Sequence, residues 1–175
     1  TGVDAQKGDS LLIRGGTSSI GLALAVLAKQ RGITVLSTTR NPARAAVLKG
    51  VGVDHVIIDD GEIAPAVREI LPDGVSGAVE LVGAPTLRDT LRATAVHGTV
   101  CFTGMLSDEW IVPDFYPMDY LPNGVRLTAY SGEASDLPPA VLQDFLDAVA
   151  AGLAVVPIGR IYAFDSSARD LQPAA

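Results

Sequence analysis

The sequence predicts an α/β domain of the doubly wound class: a parallel sheet with helices on both faces. Three observations carry this. Strand-like and helix-like segments alternate at short spacing from Ser10 to Phe102. Several strand segments are apolar throughout, as in Leu11-Leu12-Ile13, which is the pattern of strands covered on both faces. The first strand runs directly into a turn of small residues, Gly15-Gly16-Thr17-Ser18-Ser19, and then into a long apolar helix.

The elements follow in order. Ser10–Arg14 is the first strand and Ile20–Arg31 the first helix, ended by Gly32. Thr34–Thr38 is rich in β-branched residues and forms the second strand. Pro42 opens a second helix, where its missing N–H costs least, and Gly50 or Gly52 closes it. His55–Ile58 is a short third strand. Ile63–Leu71 is a helix closed by Pro72-Asp73-Gly74, and Gly77–Val82 a fourth strand. Thr86–Thr94 is a helix and Thr99–Phe102 a fifth strand, with Val96-His97-Gly98 as the turn between them. Leu106–Gly124 is an irregular loop with one helical turn at most, and Arg126–Ser131 the sixth strand. Pro138–Ala151 is an amphipathic helix presenting Val141, Leu142, Phe145, Leu146 and Val149. Ile158–Phe164 reads as a further strand and Asp165–Leu171 as a short helix.

The chain of 175 residues is long enough for one domain with a full core. Its 48% hydrophobic and 19% charged residues are a globular composition. No apolar run of about eighteen residues is long enough to span a membrane, and no secretory signal opens the sequence. The net charge of −7 argues against nonspecific nucleic-acid binding and anionic membrane surfaces, while leaving room for a local basic pocket. The single Cys101 cannot form an internal disulfide, which fits a reducing, cytoplasmic setting, and its apolar neighbours mark it as a packing residue.

The glycine-rich turn is the informative stretch. A helix start carries free N–H groups and the positive end of a dipole, so a small-residue turn between strand and helix is a seat for a pyrophosphate. Gly16, Ser18 and Gly21 occupy the three positions of G-x-G-x-x-G, with Ser in place of the middle Gly. Thr17, Ser18 and Ser19 offer three hydroxyl donors beside the backbone. At the end of the second strand the acid that binds ribose hydroxyls is missing. Arg40 and Arg44 stand there instead, and such fork-shaped cations suit a 2′-phosphate, hence NADPH rather than NADH.

Arg14 to Ala23, Thr38-Thr39-Arg40, Gly52-Val53-Asp54-His55-Val56-Ile57 and Glu80-Leu81-Val82-Gly83, in this order and spacing, resemble the cofactor domain of the medium-chain dehydrogenase/reductase superfamily. The nearest branch is the zinc-independent, quinone-oxidoreductase-like reductases. The resemblance implies a Rossmann-type sheet of six strands in the order 3-2-1-4-5-6. It implies a dinucleotide-binding domain over residues 1–152 and a tail, 153–175, similar to the segment returning toward a catalytic domain. Most of that second domain is absent, so the resemblance implies a fragment. Gly15, Gly16, Thr17, Ser18, Ser19, Ile20 and Gly21 would then form the pyrophosphate turn. Thr39, Arg40 and Arg44 would face the adenosine ribose and its phosphate. Val82 and Gly83, with Thr103, Gly104 and Met105, would lie along the nicotinamide half. The implied activity is hydride transfer from NADPH to a small-molecule acceptor: a quinone, an enone or a related carbonyl-conjugated compound. A homodimer through strand Arg126–Ser131 is also implied.

Other chemistries lack their residues. A short-chain dehydrogenase needs a Tyr with a Lys four residues on, and all three lysines, Lys7, Lys29 and Lys49, precede the first tyrosine, Tyr116. One Cys and the distant His55 and His97 offer no zinc set. No G-x-S-x-G elbow is present. Asp59-Asp60 reads as a solvated pair at a strand end, and Tyr116 and Tyr120 as packing for their loop. The rival reading is a non-catalytic nucleotide-sensing or interaction module. On the dehydrogenase reading the isolated chain binds cofactor without turnover.

Overall fold

A computed structural model describes residues 2–158 and 161. Six strands, β1 (Ser10–Arg14), β2 (Thr34–Thr39), β3 (His55–Ile58), β4 (Val75–Glu80), β5 (Thr94–Phe102) and β6 (Arg126–Ala129), form one sheet in the order β3-β2-β1-β4-β5-β6. Every pairing is parallel, so the expected Rossmann-type order is the observed one. The helices are α1 (Ser19–Gln30), α2 (Ala45–Gly50), α3 (Ala64–Ile70), α4 (Ala84–Arg92), α5 (Pro117–Tyr120) and α6 (Pro139–Ala150).

The all-apolar first strand is explained by its two faces. Leu11 and Ile13 point to one layer, with Val35, Val79, Ala25 and Ala28 of α1 and Leu48 of α2. Leu12 points to the other, with Leu36, Ala78, Val67 of α3 and Leu91 of α4. Successive side chains of a strand alternate between faces, and in a covered sheet both faces must be apolar.

Several boundaries differ from the sequence reading, each for a local reason. The second helix opens with a 3₁₀ turn, Pro42–Arg44, capped by the Asn41 side chain accepting from Ala43 N. β4 ends at Glu80, which leaves Leu81, Val82 and Gly83 as a turn rather than strand. Val96-His97-Gly98 is not a turn before β5 but lies within it. His97 has φ 69°, and the register with β4 shifts between Val75 and Gly77, a bulge in the ladder. On α6, Phe145, Ala148 and Val149 pack on the core while Leu142 and Leu146 stay about half exposed. The expected helix Asp165–Leu171 and strand Ile158–Phe164, residues 158 and 161 aside, lie outside the described residues. Among the described residues, no helix is long and apolar enough to cross a membrane.

Leu12 is fully buried at the sheet centre. Truncation loses its transfer energy and leaves a cavity, so Leu12→Ala should lower the unfolding free energy by about 2–5 kcal/mol. Urea denaturation should show a lower midpoint at an unchanged slope; a loss below about 1 kcal/mol would contradict this packing.

Candidate functional site

The C-terminal ends of β1 and β4 meet where successive crossovers leave the sheet in opposite directions, the position at which such sheets open a ligand crevice. The chain leaves β1 through Gly15 at φ 84°, a backbone conformation that favours glycine. Gly15 N donates to Thr38 Oγ1 at 3.1 Å, and Gly16 N to Thr38 O at 3.0 Å, pinning the turn to β2. A Cβ on Gly21 would stand 2.6 Å from Gly16 O, so only glycine lets α1 start this close to the turn.

Ser18 is the N-cap of α1. Its Oγ accepts from Gly21 N at 3.1 Å and donates to Gly15 O at 2.8 Å. The expectation of three free hydroxyls is corrected here: the loop itself uses the one on Ser18. Among the described residues, the amides of Thr17, Ser19 and Ile20 meet no protein acceptor. They cluster at the start of a twelve-residue helix, where an anion completes unpaired donors and meets the dipole. Ile20 is mostly exposed beside them.

The turns after β4 and β5 close the other side. Leu81 N donates to Arg14 O at 3.2 Å, and Thr103 N and Gly104 N both donate to Glu80 O at 3.0 Å. Gly104 sits where a Cβ would be 2.8 Å from Leu81 O. Gly83, at φ 130°, is covered by Ser107 and Met105 of the following loop. The fold thus brings Gly15–Gly21, Val82, Gly83, Thr103, Gly104 and Met105 to one end of the sheet. At the end of β2, the Thr39 side chain is buried, with its hydroxyl donating to Asn41 O and accepting from Asn41 N. Arg40 and Arg44 are exposed, without an ion-pair partner among the described residues.

Beneath these turns lies a charged cluster that the sequence reading missed. Arg14 is 0% exposed. Its Nε and Nη2 donate to the two oxygens of Asp59, both at 2.9 Å, and its Nη1 to Asp89 at 2.5 Å. Asp59 is therefore not the solvated carboxylate expected; Asp60 alone is exposed. Asp89 also accepts from Ile63 N and Ala64 N, capping α3. Burial pulls the Arg14 pKa down, but the Asp59 bond and the charges of Asp59, Glu80 and Asp89 outweigh it, holding the guanidinium above its ordinary value.

Glu80 is equally buried. Its Oε1 accepts from Val82 N at 2.8 Å, Gly83 N at 3.2 Å and Thr86 Oγ1 at 3.0 Å, and its Oε2 from Thr90 Oγ1 at 2.5 Å. Thr90 Oγ1 in turn accepts from Arg14 Nη1 at 3.3 Å. Burial pushes the Glu80 pKa up, against the pull of Thr90, the two amides and Arg14. The signal available in sequence was a charge at the end of two otherwise apolar strands. Arg14 and Glu80 prove to be register partners across the β1–β4 joint.

Residues 19–151 match the model of the zinc-binding dehydrogenase family. The chain belongs to this family. Among its relatives is a probable quinone oxidoreductase of Leishmania amazonensis, 37% identical over 106 residues, which are 58% of this chain and 31% of that protein. The putative quinone oxidoreductase YhfP of Bacillus subtilis is 26% identical over 158 residues, 83% of this chain and 48% of that protein. The solved structure of mycobacterial Rv1454c complexed with NADPH superposes with a TM-score of 0.75 at 28% identity, over 89% of this chain and 50% of that one. The Escherichia coli quinone oxidoreductase complexed with NADPH shares the fold, with a TM-score of 0.75 at 16% identity. The chain spans about half the length of these relatives or less. The implied resemblance to medium-chain dehydrogenase/reductase cofactor domains holds. The family's description names zinc, yet among the described residues no three His, Cys, Asp or Glu side chains are grouped to hold a metal ion. His55 and His97 are exposed, at the start of β3 and within β5. The described residues do not make a zinc site.

Arg14→Met should leave Asp59 and Asp89 buried without their partner, at a cost of about 3–5 kcal/mol. Adding Asp59→Asn should recover part of that loss in urea denaturation. Strictly additive losses would mean that Arg14 and Asp59 do not act as a pair.

Proposed function

We propose that this chain binds NADPH across the C-terminal ends of β1, β4 and β5, as the cofactor domain of an oxidoreductase that passes hydride to a quinone, an enone or a related carbonyl-conjugated acceptor. The observation that carries this reading is the pairing of two anion seats. One is the set of unpaired amides of Thr17, Ser19 and Ile20 at the start of α1; the other is Arg40 and Arg44, exposed at the end of β2 with no acid between them. The residues present fit a phosphorylated dinucleotide: small residues where the backbone must be approached, free N–H donors for the pyrophosphate, fork-shaped cations for a 2′-phosphate. The relatives, two quinone oxidoreductases and a mycobacterial protein solved with NADPH, support it.

On this reading Thr17, Ser19 and Ile20 hold the pyrophosphate through their amides, with Ser18 fixing the turn as the cap of α1. Arg40 and Arg44 hold the 2′-phosphate, and Thr39 shapes the strand end behind them. Val82, Gly83, Thr103, Gly104 and Met105 line the nicotinamide half. NADPH supplies the hydride when bound; the chain's part is to orient it and to keep water from one face. Residues 1–152 are read as the cofactor domain, and 153–175 as a tail similar in sequence to the family's return segment toward a catalytic domain. Tyr120 does not serve as proton donor. It packs edge-on to Phe115 at 5.0 Å between centroids, with Arg88 5.7 Å from its own ring centroid. Burial pushes its pKa up, Arg88 lowers it and Glu80 adds to the rise, leaving a weaker acid than free tyrosine. Tyr116 is largely exposed.

Calorimetric titration should give tighter binding of NADPH than of NADH by about tenfold or more, because a charge-assisted bond is worth about 1.5–3 kcal/mol. Arg40→Ala should narrow that gap more than it weakens NADH. Equal affinities in the unmutated chain would overturn the assignment.

The same reading includes a homodimer. β6 pairs with β5 on one side and has no partner strand on the other among the described residues. An open edge of this kind is a template for another chain. Pairing through Arg126–Ser131 across a two-fold axis would continue the sheet. Light scattering should return a dimer mass; a monomer at high concentration would refute this.

A further inference from the structure

We infer that Glu80 is a positioning residue for the nicotinamide half of the dinucleotide: its buried carboxylate holds the β4–α4 turn in the form the ligand meets and ties that turn to the phosphate turn. This rests on the NADPH reading above. Three donors converge on Oε1, the Val82 and Gly83 amides and the Thr86 hydroxyl, and all belong to the turn or the first turn of α4. The following loop holds the turn's carbonyls, with Leu106 N on Leu81 O at 3.0 Å and Ser107 N on Val82 O at 2.8 Å, while the Val82 and Gly83 amides are met by Glu80. Gly83 sits at φ 130°, and its carbonyl is met by Thr86 N and Thr86 Oγ1, both at 3.3 Å. The other oxygen leads through Thr90 to Arg14, the residue just before the phosphate turn, whose own carbonyl accepts from Leu81 N. One chain of bonds thus joins the two cofactor loops.

The carboxyl interacts with the Arg14 charge but is not its direct partner. Arg14 already has Asp59 on two nitrogens and Asp89 on the third, and Glu80 makes no direct bond to it. Its ionised form is disfavoured by burial. A carboxyl whose pKa is raised in the fold costs stability at neutral pH, and that cost is relieved as the pH falls through the raised value. What the carboxyl group provides is acceptors at the turn. Being fully buried, it acts on the ligand only through Val82 and Gly83.

The test compares two probes, NADPH and adenosine 2′,5′-bisphosphate, which carries the adenosine half alone. Calorimetry should show both binding the unmutated chain. Glu80→Ala should weaken NADPH about tenfold or more while the bisphosphate stays within about twofold, since two or three acceptor contacts are lost at the nicotinamide side only. Glu80→Gln keeps an oxygen at Oε1 and should restore most of the NADPH affinity. Equal weakening of both probes, or no weakening of either, would overturn the inference while leaving the NADPH reading intact. An unmutated chain that binds neither probe would overturn both. Where circular dichroism shows Glu80→Ala unfolded, Thr86→Val decides. It removes the hydroxyl shared by Oε1 and Gly83 O, and the NADPH loss should again be selective; a nonselective loss, or none, counts against the role.

Discussion

A guanidinium that water cannot reach governs this end of the sheet. Arg14 is the last residue of β1 and is wholly enclosed. An unpaired charge there would be prohibitively costly, so its donors must all find acceptors. They find them on two other segments: Asp59 and Gly61 O after β3, and Asp89, Thr86 O and Thr90 on α4. Asp89 then spends its remaining capacity on the first amides of α3. The turns after β1 and β4, which carry proposed ligand contacts, spring from elements joined at this point. Replacing such a cluster with apolar residues is often tolerated by a fold, whereas removing one partner is not.

The layered part of this design could be read from the chain, and the charged part could not. Leu11-Leu12-Ile13 announces a strand covered on both faces because burial is a property of each residue in turn. Gly21 announces a close helix start for the same local reason. Asp59 looked solvated because a carboxylate pair at a strand end ordinarily is. Only the neighbours 45 residues away in sequence make it otherwise. Arg14 opposite Glu80 depends on β1 lying beside β4, a fact of topology rather than of composition. Ser18 is a similar case at short range. Its hydroxyl suits either a phosphate or a helix cap, and the path of the turn gives it to the cap. Val96-His97-Gly98 has turn composition, yet the ladder continues around it, because a single bulged residue costs less than ending two strands.

The electrostatics of the site run against those of the whole chain. The net charge is −7, which disfavours anions at long range. Over about 8 Å of physiological salt that field fades, and what a phosphate meets close up is decided by nearby groups. Near the turns these are backbone amides and the two arginines after β2. The buried carboxylates of Asp59, Asp89 and Glu80 are occupied by inward-facing donors, so their charge is spent inside the network and little of it is directed at the crevice.

The all-parallel ladder also shapes how the chain reaches this structure. No strand can pair with its neighbour through a tight hairpin. The β1–β2 joint, the first in sequence, already brings together residues 24 apart, and the β1–β4 joint residues 66 apart. Each closure must order a whole intervening crossover before any ladder bond rewards it. Domains built this way fold more slowly than helical bundles of like size, and their half-formed states expose unpaired strand edges. The central joint that aligns Arg14 with Glu80 links residues 66 apart and carries a correspondingly larger closure entropy than the β1–β2 joint, and a chain lacking it would leave two strand edges open to association.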